Sequence, residues 1–525
     1  MLSAASVRAL EVPYLFLAGL SEKAFPPPDR EDRLYSEAEY QRLIDEGLPL
    51  VARTQRNRDE MLLFYETITR ATRRLYLSYP ALDDAAQPLS PSPYLKEVEQ
   101  ACGVGKIQRT EATDLSPVPT DDEPSGARGF RLRAMAGAIE GDVSLLAGLA
   151  LQSPAMADNL CRGLELTRLR QDRDEFGPAE GMLPGDAMRN LLSERYADQR
   201  IYSATELEQY AACPYKFFLE RLLKLKPLEE LKLAIDHLQR GLLAHNVMAA
   251  FHRRVNTLLG RPGSPSQLET ADYDRLLEET MQEELGSRPS NPVRAAFREI
   301  DRRLLAQWTD GYRDQHQRYD ELWQQCEGTL VPTFFEVAFG RIRPDDEPPS
   351  TERSLELSTA EQTVRIAGRI DRVDVGRVAD RTVFNVLDYK TGGTIKCTPE
   401  TIAAGKTLQL PVYALATAEL LLGDDHATPW QAGYWYLRDG GFMPKRALLM
   451  HEQGDSGVVA LPEWEQTRQR LAETVAALVS GIRGGQFPVC SADQRCTGYC
   501  SYRTICRINQ VRSLEKTWQP PKAND

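Results

Sequence analysis

One short stretch limits the fold more than any other part of this sequence. Residues 382–393 read TVFNVLDYKTGG, a run that is apolar on both faces until Asp388. A strand of that kind reads as central, with further layers covering both of its faces. The surrounding segments agree: the pattern is helical from about residue 200 to 318, carries strands from 337 to 386, and is helical again afterwards. Such segregation predicts an α/β domain, a mixed sheet flanked by helices. Side chains two apart on a strand point the same way, so Asp388 and Lys390 project together from its end. The turn Thr391-Gly392-Gly393 leaves space above them.

The preceding strand supplies a second carboxylate. Residues 363–375 read TVRIAGRIDRVDV, with Val364, Ile366 and Ile370 on one face and Val373 and Val375 at the opposite parity. The apolar phase reverses around Asp371, which predicts a bulge or bend there, and such irregularities gather beside active sites. Two carboxylates on neighbouring strands plus a lysine suit metal-dependent hydrolysis of a phosphodiester. Hard oxygens bind Mg²⁺ or Mn²⁺, which lowers the pKa of a bound water, and the lysine offsets developing negative charge. The competing reading is an ion pair at a strand end, because a D-x-K triplet arises about once by chance in a chain of this length. The buried strand before Asp388 and the matching Asp371 favour chemistry.

Whole-chain totals bound the rest. The 525 residues correspond to roughly three or four domains. A net charge of −12 excludes holding nucleic acid by bulk positive charge alone. The charge is uneven, however: residues 481–525 carry seven Lys/Arg against three Asp/Glu, and residues 201–260 eight against six. A basic track can therefore lie beside an acidic site. No run of 18 uncharged apolar residues occurs, so no transmembrane helix and no membrane partner are expected. Residues 12–20 are apolar, but Glu11 adjoins them and no small-residue cleavage pattern follows, so they read as a buried strand. Nine cysteines, four of them between Cys490 and Cys506, point to a metal site rather than disulfides and to a reducing, cytoplasmic compartment. By composition, residues 1–110 form an α/β unit, 111–129 a Pro/Ser/Asp-rich linker, 130–199 a helical connector, 200–515 the chemically suggestive domain, and 516–525 a tail.

The ordered segments GRIDRVDV, NVLDYKTGG and LQLPVYALA resemble the PD-(D/E)XK nuclease domain of the RecB type. YSATELEQYAACPYKFFLERLLKL and GLLAHNVM are similar to its opening helices, and CTGYCSYRTICR to its terminal iron–sulfur motif. The resemblance implies a restriction-endonuclease-like fold and a DNA nuclease dependent on Mg²⁺ or Mn²⁺. It implies that His245, Asp371 and Asp388 bind the metal together with the Tyr389 carbonyl, and that Lys390 is the catalytic lysine. Gln409 and Tyr413, neighbours on one helix face, would line the site against the DNA backbone. His252 would share a helix face with His245, and the G-x₃-H spacing singles out His245. Glu336 in FFEVAFG resembles a further family position.

By the same resemblance Cys213, Cys496, Cys500 and Cys506 would ligate a [4Fe–4S] cluster that staples the two ends of the domain. Ser203 and Glu206 form a capping-box pattern and Pro214 suits the first position of the next helix. Cys213 therefore stands at a helix start, which favours a thiolate. The family spacing C-x₂-C-x₅-C is here C-x₃-C-x₅-C, which leaves Cys490 as a competing ligand. Zinc on the same thiolates is the chemical alternative.

Residues 1–110 resemble the end of a superfamily 1 helicase core. DEMLLFYETITRATRRLYLSYP is similar to helicase motif VI, in which Arg70 would face a nucleotide phosphate. No Walker A sequence accompanies it, Gly405-Lys406-Thr407 matching only the end of one, so no self-contained ATPase is expected. Taken together, the chain resembles the C-terminal half of the AddB-type subunits of ATP-dependent helicase–deoxyribonucleases. That implies an A-type helicase–nuclease partner, single-stranded DNA ends as substrate, and double-strand-break processing for recombinational repair. Three rival readings stay open. One is a silent scaffold that binds DNA and anchors a helicase; another is a stand-alone exonuclease of the CRISPR-adaptation type, against which the helicase-like segment counts; the third is a zinc-stapled interaction protein, which would be colourless.

Overall fold

The computed structural model describes residues 3–519 apart from 8–9, 23, 28–36, 51–52, 84–86, 104, 112–117, 119–125, 172–173, 228–236, 287–291, 325–328, 379–380, 424–425, 439, 455–456 and 513. Most of the expected linker, Cys326 and residues 520–525 of the expected tail lie outside the described residues. The chain divides into two compact units, Met1–Leu132 and Arg133–Asp525. Among the described residues no helix is long and apolar enough to cross a membrane.

In the first unit β1 (Val12–Leu17) pairs in parallel with β2 (Ala71–Leu77), and the helix Arg53–Ile68 lies between them in sequence. A strand forms within the apolar run as expected, over Val12–Leu17, but it is not buried. Among the described residues it has one neighbouring strand, and Phe16 stacks on Tyr76 at 4.4 Å and stays 71% exposed.

The second unit is built on an eight-stranded mixed sheet. Its strands are β3 (Ile201–Ser203), β4 (Thr329–Phe339), β5 (Leu355–Ser358), β6 (Thr363–Val378), β7 (Arg381–Lys390), β8 (Thr428–Tyr436), β9 (Gly441–Phe442) and β10 (Leu448–Leu449). The main path runs β10-β8-β7-β6-β3, with β4 and β5 also pairing on β6, and β9 on β8. β7 is central: antiparallel to β6, parallel to β8, and buried from Val383 to Tyr389. The aromatic run TPWQAGYWY, expected to lie in a helical region, is instead the fully embedded neighbour of β7.

Helices cover both faces. On one, Ile366, Ile370, Val373, Phe384 and Val386 pack with Leu207 and Tyr210 of the helix Ala204–Ala212, Val412 of Gln409–Ala416, and Val475 of Pro462–Arg483. On the other, Val383, Leu387 and Trp435 pack with Phe251 of the helix His237–Leu259 and with Tyr319 of Tyr312–Gln324. The ends of this unit meet: the Tyr210 hydroxyl donates to the Gln486 carbonyl at 2.7 Å, and Lys516 pairs with the fully buried Glu180 at 3.0 Å.

β6 changes faces midway. Ile366 and Ile370 belong to the first core, whereas Arg372 and Asp374, of the same parity, are fully buried beside Tyr312 and Trp435 in the second. The reversal foreseen at Asp371 is thus real, but no residue is inserted in β6, which keeps register with β4 through Val337↔Ile370 and Phe335↔Arg372. Between those pairs Glu336 stands opposite Asp371 and takes the left-handed conformation, φ 55°. The inserted residue lies in β4 instead, between Pro332 and Phe334.

Arg372 anchors the shifted half. Its Nε and Nη2 donate to the two Asp374 oxygens at 2.6 and 2.7 Å, and Nη1 donates to the Tyr312 hydroxyl at 3.2 Å. Removing one partner of a fully buried pair strands the other charge. Asp374→Ala should therefore cost about 3–5 kcal/mol of stability, read from urea unfolding; an unchanged midpoint would refute the role given to this pair.

Candidate active site

The bend at Asp371 and the end of β7 bring the chemistry together. Asp371 Oδ2 accepts the Tyr389 N–H at 2.8 Å and lies 3.2 Å from His245 Nδ1 on the helix His237–Leu259. His245, Glu336 and Asp371 each offer a ligand atom, all within 4.8 Å of one another. Asp388 follows Asp371 across the β6–β7 ladder, and its Oδ2 lies 2.5 Å from Lys390 Nζ. The two charges are thus in direct contact at the mouth of the turn. Beyond them Gly392 and Gly393 face open space, as their place in the turn suggested.

Negative charge is crowded here. Burial and the Asp371 carboxylate push Asp388 up, against the pull of Lys390. The same two causes push Glu336 up to about 7. Burial would lower His245, but its hydrogen bond to Asp371 and the nearby carboxylates outweigh this and push it up to about 9. Burial likewise opposes the charge on Lys390, and Asp388 more than offsets it. Clustered carboxylates that resist ionising together are the electrostatic setting that a divalent cation relieves.

The other sequence-predicted residues fall around this centre. Tyr389 is held from two sides, its N–H by Asp371 and its buried hydroxyl 3.1 Å from that of Tyr312. His252 is a core residue, fully buried, 2.6 Å from the Tyr312 hydroxyl and stacked on Phe335. Tyr413 is buried edge-on to Phe339, and burial followed by Asp388, Asp371 and Glu208 raises its pKa. It packs so closely on β6 that a Cβ on Gly368 would come within 2.7 Å of its ring. Gln409 Nε2 donates to Thr205 Oγ1 at 3.2 Å.

Sequence reasoning passed over Glu208. Its Oε1 accepts the N–H groups of Leu408 and Gln409 at 2.6 and 3.0 Å. Burial pushes this carboxyl up to about 7, with Lys390 opposing and Asp388 reinforcing. Its helix also carries Thr205, Glu206 and Gln209, so nothing in the local pattern set it apart. The capping box read nearby forms only in half: Ser203 Oγ accepts the Glu206 N–H at 3.1 Å, while the Glu206 carboxylate pairs with Arg200 at 2.6 Å.

Cys213, Cys496, Cys500 and Cys506 line one cavity of about 480 Å³, walled by Val489, Tyr502 and Ile508. Cys213 ends the helix Ala204–Ala212 and precedes Pro214, as anticipated. The longer spacer is absorbed by a 3₁₀ turn, Cys496–Gly498, and the Cys500 N–H donates to the Cys496 carbonyl at 2.8 Å. Cys490 borders the same cavity, and all five thiols are free. Burial pushes the Cys213 thiol up to about 11, against the N–H of Lys216.

Residues 201–507 match the model of the PD-(D/E)XK nuclease superfamily. The chain belongs to that superfamily, and its mixed sheet is the restriction-endonuclease-like one. Among curated proteins it is similar to the B-type subunit of the ATP-dependent helicase/deoxyribonuclease of Natranaerobius thermophilus, 26% identical over 439 residues, covering 79% of this chain and 34% of that protein. It is similar also to the proteins of that name from Moorella thermoacetica, 27% identical with 79% and 35% covered, and Symbiobacterium thermophilum, 28% identical with 77% and 34% covered. The chain spans about a third of the length of these relatives.

Glu336, marked in the sequence without a role, lies in the same cluster as His245 and Asp371. Glu336→Gln and Asp371→Asn should each weaken Mn²⁺ binding by at least about tenfold, the loss seen even for groups that only support a ligand, as measured by calorimetry.

Proposed function

We propose that this chain is a metal-dependent DNA nuclease acting within a helicase–nuclease complex that processes double-strand breaks for recombinational repair. The observation that carries this reading is the convergence of His245, Glu336 and Asp371 beside the Asp388–Lys390 pair. His245, Asp371 and Asp388, with the Tyr389 carbonyl, would hold Mg²⁺ or Mn²⁺, and the clustered ligand atoms and crowded carboxylates fit that use. Bound there, the ion supplies Lewis-acid polarisation of the phosphate and acidifies water. Lys390 Nζ, kept charged beside Asp388, orients the attacking water and balances charge growing on the phosphate oxygens. Attack in line at phosphorus breaks the bond to the 3′ oxygen, which leaves as a 3′-hydroxyl and keeps the phosphate on the 5′ side. Gln409 and Tyr413 seat the DNA backbone.

The relatives are named as one component of a helicase/deoxyribonuclease, which supports assembly with an A-type helicase–nuclease partner. In this reading residues 1–110 are a helicase-like remnant, 111–129 a linker, 130–199 a connector, 200–515 the nuclease domain and 516–525 a tail, in a reducing cytoplasm. Single-stranded DNA ends are the substrate. Asp388→Ala in the full chain should abolish Mg²⁺-dependent cleavage of such ends while DNA binding, read by fluorescence anisotropy, stays within about twofold. Equal cleavage by the variant would sink the assignment, and DNA binding without cleavage by either protein would favour the silent scaffold.

We read Cys213, Cys496, Cys500 and Cys506 as [4Fe–4S] ligands. The four thiols lining one cavity of about 480 Å³ support this reading, and thiolates are the usual ligands of such a cluster. Protein purified without oxygen should be brown; Cys213→Ser should bleach it and Cys490→Ser should not. Colourless wild-type protein carrying stoichiometric zinc would overturn this.

A further inference from the structure

We propose that Glu208 is a positioning residue, one that seats the helix Gln409–Ala416, and with it Gln409 and Tyr413, against the Asp388–Lys390 pair. The inference rests on the nuclease reading above. The first N–H groups of a helix have no partner inside it, and this helix has no side-chain cap of its own at Leu408. Glu208 supplies one from a helix 200 residues earlier, its Oε1 accepting from both Leu408 and Gln409. A carboxylate at that end also matches the helix dipole.

Thr205, one turn before Glu208, takes the Gln409 side chain at 3.2 Å. Gln409 is therefore fixed by main chain and side chain from the same helix face. One turn later Tyr413 is wedged between Phe339 and the Gly368 backbone. Glu208 lies within electrostatic reach of Lys390 and Asp388, yet Lys390 makes its ion pair with Asp388. Glu208 thus acts through the helix that it caps rather than on the phosphate. Its own helix ends at Cys213, five residues on, so cap and cluster thiol ride on one rigid piece.

The test uses the full 525-residue chain with Glu208→Ala, Glu208→Asp and Glu208→Gln. Amide hydrogen exchange at Leu408 and Gln409 should accelerate at least about tenfold in the Ala and Asp variants, which lack the acceptor or its reach. It should stay near wild type in the Gln variant, which keeps an acceptor oxygen. On single-stranded DNA with Mg²⁺, kcat should fall about 10- to 100-fold in the Ala and Asp variants, the scale of a misplaced site, with KM unchanged and the Gln variant restoring most of it. Should Glu208→Ala not fold, the Asp variant carries the comparison alone. Wild-type exchange or wild-type kcat in the Asp variant would overturn the proposal, as would loss of kcat in the Gln variant with exchange unaltered. An inactive wild-type protein would count against the nuclease reading, and the exchange result would still judge the role of Glu208.

Discussion

The candidate site depends on the buried ion pair between Arg372 and Asp374. Both residues sit in the same short motif as Asp371, and both are taken wholly out of water. Two fully buried charges persist only where geometry and further hydrogen bonds satisfy them. Here the guanidinium donates to both Asp374 oxygens and to Tyr312, and lies 4.8 Å from the Trp435 ring. The pair commits that half of β6 to the second core, while Ile366 and Ile370 commit the other half to the first. Asp371 falls at the crossing, where neither core claims its side chain.

From that crossing the rest follows in short steps. Glu336, opposite on β4, takes a positive φ, a conformation that a non-glycine residue adopts only under a local demand. Asp371 in turn binds the Tyr389 N–H and so fixes the peptide between Asp388 and Lys390. The Tyr389 ring reaches back to Tyr312, which also touches Arg372. The buried pair and the end of β7 therefore belong to one hydrogen-bonded network, whose bonds reinforce each other in a low-dielectric interior.

Much of this was legible in the sequence because it is local. The parity of Val364, Ile366 and Ile370 against Val373 and Val375 revealed the change of face, and the apolar run before Asp388 revealed a central strand. What escaped was non-local. Glu208 has its partners 200 residues away, so no spacing rule could find it. β8 followed a helix and carries large aromatics on both faces, a pattern that periodicity cannot assign to strand or helix. The exposure of β1 escaped for another reason: an apolar stretch reports a preference for burial, not whether neighbours lie over it. At the cysteines, the position of Cys213 at a helix start was legible from Pro214, which follows it.

The meeting of the domain's ends has a kinetic side. Tyr210 bonds to residue 486, Lys516 to Glu180, and the thiol cavity draws on Cys213 and Cys506. Contacts of such long sequence separation form slowly, because loop-closure entropy must be overcome before they contribute. During vectorial synthesis the early helices emerge without the segments that complete them. The domain can therefore close only after almost its entire length has been made, and a chain interrupted before Cys506 exposes the thiol of Cys213 in a half-built wall.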